Sequence, residues 1–256
     1  MPRSAILNVM VQAARKAARG LVRDFGEVEN LQVSRKGPAD FVSAADRHAE
    51  QVLFEELSRA RPGFGFVMEE SGERPGTDAS HRWIVDPLDG TTNFLHGVPH
   101  FAISIALERD GVLIAGLVFD PISGDLYLAE RGRGASLNDH RIRVSARSAA
   151  VDCLFGCGMP FAGHGDREQF AGELNRIQGE VAGIRRFGAA SLDLAYVASG
   201  RLEGFWEHGL KFWDVAAGAL LVREAGGEIS DFQGREQWST TGSIVASNQL
   251  MHQQLL

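Results

Sequence analysis

The sequence predicts a mixed α/β fold made of two unlike halves. Two patterns carry that prediction. From about residue 101 to 137, short apolar runs are separated by Asp110-Gly111 and Ser123-Gly124, which are hairpin signals of an antiparallel meander. After about residue 145, strand-like runs alternate with helix-length segments. A third observation, 30 glycines in 256 residues, points to many tight turns and close backbone approaches. The chain reads as one domain over 1–256, with an N-terminal half of about 1–145 and a C-terminal α/β half of about 146–256. No internal repeat, low-complexity tract or linker separates the halves, so they share an interface.

Ile6, Met10, Ala13, Ala14, Ala17, Leu21 and Phe25 keep helical spacing until Gly26, which predicts a first helix. Ser43 and Asp46 have capping-box spacing and open a second helix, striped by Val52, Leu53 and Leu57 and ended by Pro62-Gly63. A strand over 64–68 then delivers Glu69-Glu70, and a polar loop over 71–80 leads to the buried strand Trp83-Ile84-Val85. The meander follows, with strands expected at 101–107, 112–119, 125–129 and near 135–137. The second half reads as a strand near Cys153, a helix over 167–178, a strand near Arg186 and a helix over 190–198. A strand at 202–206, a helix over 213–225 and a strand at 228–230 complete it.

Composition excludes several classes of function. Apolar residues are 44% and charged residues 23%, which is globular and not disordered. The formal net charge of −7 lacks the basic footprint of a nucleic-acid binder, so no direct nucleic-acid contact is expected. No run reaches the ~18 apolar residues of a membrane span. Arg3, Gln12, Arg15 and Lys16 interrupt any signal-peptide core. The basic, amphipathic N-terminus is also compatible with a transit peptide, but it reads better as a core helix. The only cysteines, Cys153 and Cys157, share a strand face and read as buried thiols, although a dithiol site has the same spacing. No disulfide framework is present, which fits a reducing, cytoplasmic setting.

The chemistry concentrates in Trp83-Ile-Val-Asp86-Pro-Leu88-Asp89-Gly90-Thr91-Thr92-Asn93-Phe94. A buried strand runs into two carboxylates three residues apart. Pro87 favours a turn that brings Asp86 and Asp89 to one point and aims the Leu88 carbonyl there. Gly90 admits a ligand close to the backbone, and Thr91 and Thr92 suit a helix start, where free N–H groups bind anions. Carboxylates held this close must protonate or be neutralised by a cation. An all-oxygen ligand set suits Mg²⁺. A cation site beside an anion cradle is what phosphoryl transfer requires, and it reconciles an acidic chain with an anionic substrate. Glu69-Glu70 alone reads as a solvated loop, and Asp214 alone reads as a helix cap.

Together these segments resemble the inositol monophosphatase family. The run from Trp83 to Phe94 is similar to its first signature, and Trp213-Asp214-Val-Ala-Ala-Gly218 through Glu224-Ala-Gly226-Gly227 to its second. Asp40-Phe-Val-Ser-Ala-Ala-Asp46 and Glu69-Glu70-Ser71 match two further segments in the right order, and the resemblance covers about 36–248. Arg185-Arg186 and Leu192-Asp193-Leu-Ala-Tyr-Val-Ala are closest to bacterial members.

The resemblance implies a layered αβαβα sandwich and a homodimer. It implies two or three Mg²⁺ ions held by Glu69, Asp86, the Leu88 carbonyl, Asp89 and Asp214. Glu69 and Thr91 would position the attacking water, with Asp46 holding Thr91 and Glu70 behind them. The Gly90 and Thr91 N–H groups would hold phosphate. Gly188, Ala189, Ala190, Glu207 and Arg185 would face the sugar alcohol, with Asp89 and Asp214 nearby. The implied reaction is hydrolysis of inositol 1-phosphate. The alternatives are a sister phosphatase for histidinol phosphate, fructose 1,6-bisphosphate or a nucleotide bisphosphate, and a regulatory protein that contacts the transcription machinery. Ala189 stands where many members carry Thr or Ser, which removes a hydroxyl near the substrate. Lys211 reads as a solvated side chain. His96, His100 and His208 read as loop residues without metal-ligand spacing.

Overall fold

A computed structural model of the chain describes residues 3–27, 33–35, 41–161 and 163–256. The first helix, α1 (Ala5–Phe25), is capped by Ser4, whose hydroxyl accepts from Leu7 N. Its buried stripe is Leu7, Met10, Val11, Ala13, Ala14, Ala17, Ala18 and Leu21, so Ile6 and Phe25 only flank the core. A short hairpin of β1 (Val33–Arg35) and β2 (Phe41–Ser43) precedes α2 (Ala44–Ala60). The expected cap from the Ser43 side chain, and the Asp40 end of its motif, lie outside the described residues.

An eight-stranded sheet follows. Its strands are β3 (Phe64–Met68), β4 (Gly72–Arg74), β5 (Asp78–Asp89), β6 (Ala102–Arg109), β7 (Val112–Phe119), β8 (Leu126–Glu130), β9 (Gly134–Leu137) and β10 (His140–Ile142). The short helix α3 (Thr91–Leu95) sits between β5 and β6. The sheet order is β10-β9-β8-β7-β6-β5-β3-β4, a meander whose one parallel pairing joins β3 to β5. The 71–80 segment is therefore not simply a loop. It makes the edge strand β4 and starts β5, because Gly72–Arg74 finds open backbone groups along β3.

The second half contributes β11 (Leu154–Cys157), α4 (Arg167–Ile177), β12 (Gly183–Arg185), α5 (Ala190–Ala198), β13 (Gly204–Glu207), α6 (Phe212–Glu224) and β14 (Gly227–Ser230). It ends with α7 (Trp238–Thr241), β15 (Ile244–Asn248) and α8 (His252–Leu255). The five strands form a sheet of order β12-β11-β13-β15-β14.

Alternating side chains of β5 show the layering. Trp83 and Val85 pack with α1 and α2, while Ile84 packs with α5 and α6. The α5–α6 layer is largely apolar and buried, as a helix layer between two sheets must be, with Ser191 and Asp193 as buried polar exceptions. Leu194, Ala217 and Leu221 lie in one cluster with Val118 of the large sheet and Phe205 and Ala246 of the small one. Phe170 of α4 and Met251 cover the far face of the small sheet with Phe155, Trp206 and Val245. The layers thus run helix, sheet, helix, sheet, helix. Cys153 and Cys157 are free thiols buried in that last cluster, and burial pushes the Cys157 thiol up to about 12. Among the described residues, no helix is long and apolar enough to cross a membrane.

Candidate active site

The parallel pairing of β3 and β5 sets the site. Met68 lies beside Val85, so the parallel pairing ends there and delivers Glu69 next to Asp86. Glu69 N continues the ladder by donating to Val85 O at 3.3 Å. Asp86 lies directly across from Ser104 of β6. Ser104 Oγ donates to Trp213 O at 3.3 Å, which ties the start of α6 to the sheet and brings Asp214 to the other carboxylates. Asp214 is the third helical residue of α6, not its cap, and it accepts from Lys211 N at 2.7 Å. The capping bond and the role at the site are therefore compatible. Lys211 itself is exposed.

The turn after Val85 behaves as Pro87 requires. Asp86 Oδ1 accepts from Leu88 N at 2.9 Å, and the β5–β6 register slips between Asp86 and Asp89. Gly90 has φ +93°, and a Cβ there would lie 3.0 Å from His100 O, so glycine is required. Thr91 Oγ1 stands 2.9 Å from Leu88 O and 3.4 Å from Asp46 Oδ2. One hydroxyl proton serves one acceptor at a time, so the shorter contact to Leu88 holds it. On α2, Glu50 accepts from Glu70 N at 2.8 Å. Carboxylate oxygens of Asp46, Glu69 and Glu70 come within 4.8 Å of one another.

The acids destabilise one another's charge. Burial raises the Asp86 carboxyl well above its usual range, and the charges of Glu69, Asp89, Asp214 and Asp46 push the same way. Burial, followed by the charge of Asp89, raises Asp214 likewise. Asp89 reaches only about 6, because hydrogen bonds from Ser191 oppose its burial. Such a set holds protons or a cation. Its donors are all oxygens, and three of the four proposed ligand side chains, those of Asp86, Asp89 and Asp214, are raised in pKa. A hard divalent cation such as Mg²⁺ fits them, with the Leu88 carbonyl as a further donor.

The expected substrate residues line the start of α5 and the end of β13. Gly188 has φ +88°, and Ala189 and Ala190 lead into α5, both buried. Glu207 ends β13, and a Cβ at Gly158 would collide with its side chain, so Gly158 makes the space that Glu207 occupies. Burial and the charge of Asp89 push Glu207 up to about 8, opposed by Arg186. Arg185, by contrast, donates from Nη1 to Ile184 O and lies over Gly183. The guanidinium that leans over Gly188 is that of Arg186. The arginine beside these acids is the second of the pair.

Three contributors escaped the sequence reading. Ser191 binds Asp89, Ser104 anchors Trp213, and Asn93 Nδ2 donates to His100 O and to Phe187 O. Asp193, buried near Glu207, is a further acid that the sequence reading gave no role, raised by burial and by Glu207. His100 stacks on Phe187, and His208 stacks on Phe232 and pairs with Glu173, so neither joins the acids. A cleft of about 900 Å³ is lined by Arg82, Glu108, Trp213, Arg223 and Trp238 and holds none of the four proposed ligand carboxylates.

The model of the inositol monophosphatase family matches residues 3–256. The chain belongs to the inositol monophosphatase family. Membership makes it a phosphatase, and its mixed fold with two sheets matches that of solved family members. It is 60% identical over 256 residues to an inositol-1-monophosphatase of Mesorhizobium japonicum, covering 100% of this chain and 96% of that one. It is 46% identical to the Nus factor SuhB of Pseudomonas aeruginosa, over 95% of this chain and 91% of that one. The crystal structure of the extragenic suppressor protein suhB from Bartonella henselae superposes with a TM-score of 0.96 at 57% identity, covering 98% of this chain and 97% of that one.

Proposed function

We propose that this family member hydrolyses inositol 1-phosphate to inositol and phosphate, with Mg²⁺ held by Glu69, Asp86, the Leu88 carbonyl, Asp89 and Asp214. The observation that carries the reading is the meeting of these four mutually repelling carboxylates at the ends of β3 and β5 and the start of α6. Bound Mg²⁺ would supply an acidified water and charge neutralisation for the phosphate and its leaving alkoxide. Glu69 and Thr91 orient the attacking water, and the Leu88 carbonyl holds the Thr91 hydroxyl, with Asp46 Oδ2 the alternative acceptor 3.4 Å away. The N–H groups of Gly90 and Thr91 cradle the phosphate.

Glu207 and the Gly188–Ala190 segment face the polyol, where carboxylates accept hydrogen bonds from hydroxyls. Arg186, not Arg185, is the cation on that rim. A second phosphate beside Asp89, Asp214 and Glu207 meets negative charge, so monophosphates are preferred over bisphosphates. The methyl of Ala189 in place of a hydroxyl loosens polyol selectivity, and glycerol 2-phosphate is accepted at a reduced rate.

Comparing kcat/KM for inositol 1-phosphate, fructose 1,6-bisphosphate and adenosine 3′,5′-bisphosphate tests this. A bisphosphate as the best substrate overturns the pocket reading and leaves the metal chemistry standing. The protein works in the cytoplasm as a homodimer on this reading. The similarity to a Nus factor supports a second role, a protein contact with the transcription machinery, which a pull-down from the native host tests.

A further inference from the structure

The oxygen Oδ2 of Asp89 takes two hydrogen bonds from one residue. Ser191 N donates to it at 2.7 Å and Ser191 Oγ at 2.5 Å. Ser191 is fully buried and is the second residue of α5, whose preceding residue Ala189 offers no capping side chain. The Asp89 carboxylate, coming from β5, therefore occupies the position of a cap at this helix start, where free N–H groups and the helix dipole favour an anion. Two donors on one oxygen leave the carboxylate no freedom to rotate. Backbone N–H groups of Ala190 and Gly90 also bear on this carboxylate, and Oδ1 is the oxygen that Ser191 leaves to a cation. The chain lacks a hydroxyl at Ala189 but has one two residues on, and that hydroxyl faces a metal-ligand candidate and not the polyol.

We propose that Ser191 is a positioning residue for the metal site: its hydroxyl, together with its own N–H, orients Asp89 so that Oδ1 is presented to Mg²⁺. The inference rests on Asp89 being a ligand. Groups that bind the far oxygen of a ligand are costly to lose, because the ligand must then be ordered by the metal itself.

The test is isothermal titration of substrate-free protein with Mg²⁺, beside thermal unfolding of the metal-free form. Ser191→Ala keeps the N–H and removes the hydroxyl. The expected result is about tenfold weaker Mg²⁺ binding, with Ser191→Thr, which restores the hydroxyl, recovering most of it. A purely structural role lowers the metal-free melting temperature and leaves Mg²⁺ affinity within twofold of wild type, and that result overturns the inference. If the alanine variant does not fold, Ser191→Cys keeps the volume with a weaker donor and is read by the same titration and limits. Wild-type protein that binds no Mg²⁺ would instead sink the underlying metal-site reading, so the two failures are distinct.

Discussion

Asn93 holds Phe187 in place across the boundary between the two halves of the chain. Its Nδ2 donates to Phe187 O at 2.9 Å, and the same amide donates to His100 O at 2.8 Å. One side chain on α3 thus fixes the segment that leads into Gly188 against the turn that carries Asp86 and Asp89. Asn93→Ala leaves two part-buried carbonyls without this donor, which costs roughly 1–3 kcal/mol. The expected outcome is a lower melting temperature together with a raised KM. Unchanged KM in a destabilised variant would show that the contact serves folding alone.

The proposed ligands make opposite demands on stability and on activity. Asp89→Asn keeps the shape and an acceptor for Ser191 but removes a negative charge from the cluster. Activity is expected to fall by at least ~100-fold, since charge stabilisation by the metal is worth several kcal/mol. The metal-free protein is expected to melt at the same or a higher temperature, because one repelling carboxylate is gone. Near-normal turnover of this variant contradicts the assignment of Asp89.

The buried acids also predict how the metal-free protein responds to pH. Glu207 has its carboxyl raised from 4.5 to about 8, chiefly by burial and then by Asp89. Between those values the folded state binds a proton that the unfolded state has released. Stability therefore falls as pH rises through this window and levels off above the folded value. Asp89, raised from 3.8 to about 6, adds a decline lower in the range. Denaturant titrations from pH 5 to 8 without metal should show the fall, and Glu207→Gln should flatten it. A rise in stability over that range would show that these acids are already ionised and compensated.

Much of the layout was legible because its signals are local. The Asp-Gly and Ser-Gly turns marked the meander, and the spacing of Met10, Ala14, Ala17 and Leu21 marked α1. Asp86 and Asp89 stood out because two acids three residues apart at a strand end are conspicuous, whereas Glu69 and Asp214 entered only through the family resemblance. β4 and β10 were illegible, since a three-residue edge strand is defined by its neighbour and not by its own pattern. β15 was missed although Ile244-Val245-Ala246 is apolar, because its antiparallel place between β13 and β14 breaks the expected α/β alternation. Ser191 and Asn93 act on residues about a hundred positions away, a relationship that no local spacing encodes. The choice between Arg185 and Arg186 turned on where β12 ends, which is the least predictable feature of a short strand.

Arg185 bears on assembly. Its side chain is exposed and, among the described residues, bonds to the neighbouring Ile184 carbonyl, a placement that suits contact with a second subunit, while Arg186 faces the acids. Sedimentation at micromolar protein is expected to give a dimer, and Arg185→Ala is expected to shift it towards monomer. A wild-type monomer contradicts the homodimer.

The most direct test of the central claim is the initial rate of phosphate release from inositol 1-phosphate by the wild-type protein across a Mg²⁺ titration. The proposal that the four carboxylates hold the cation predicts no measurable release in chelator and a saturable rise as Mg²⁺ is added. Turnover that persists undiminished in chelator, or no turnover at any Mg²⁺ concentration, would contradict it.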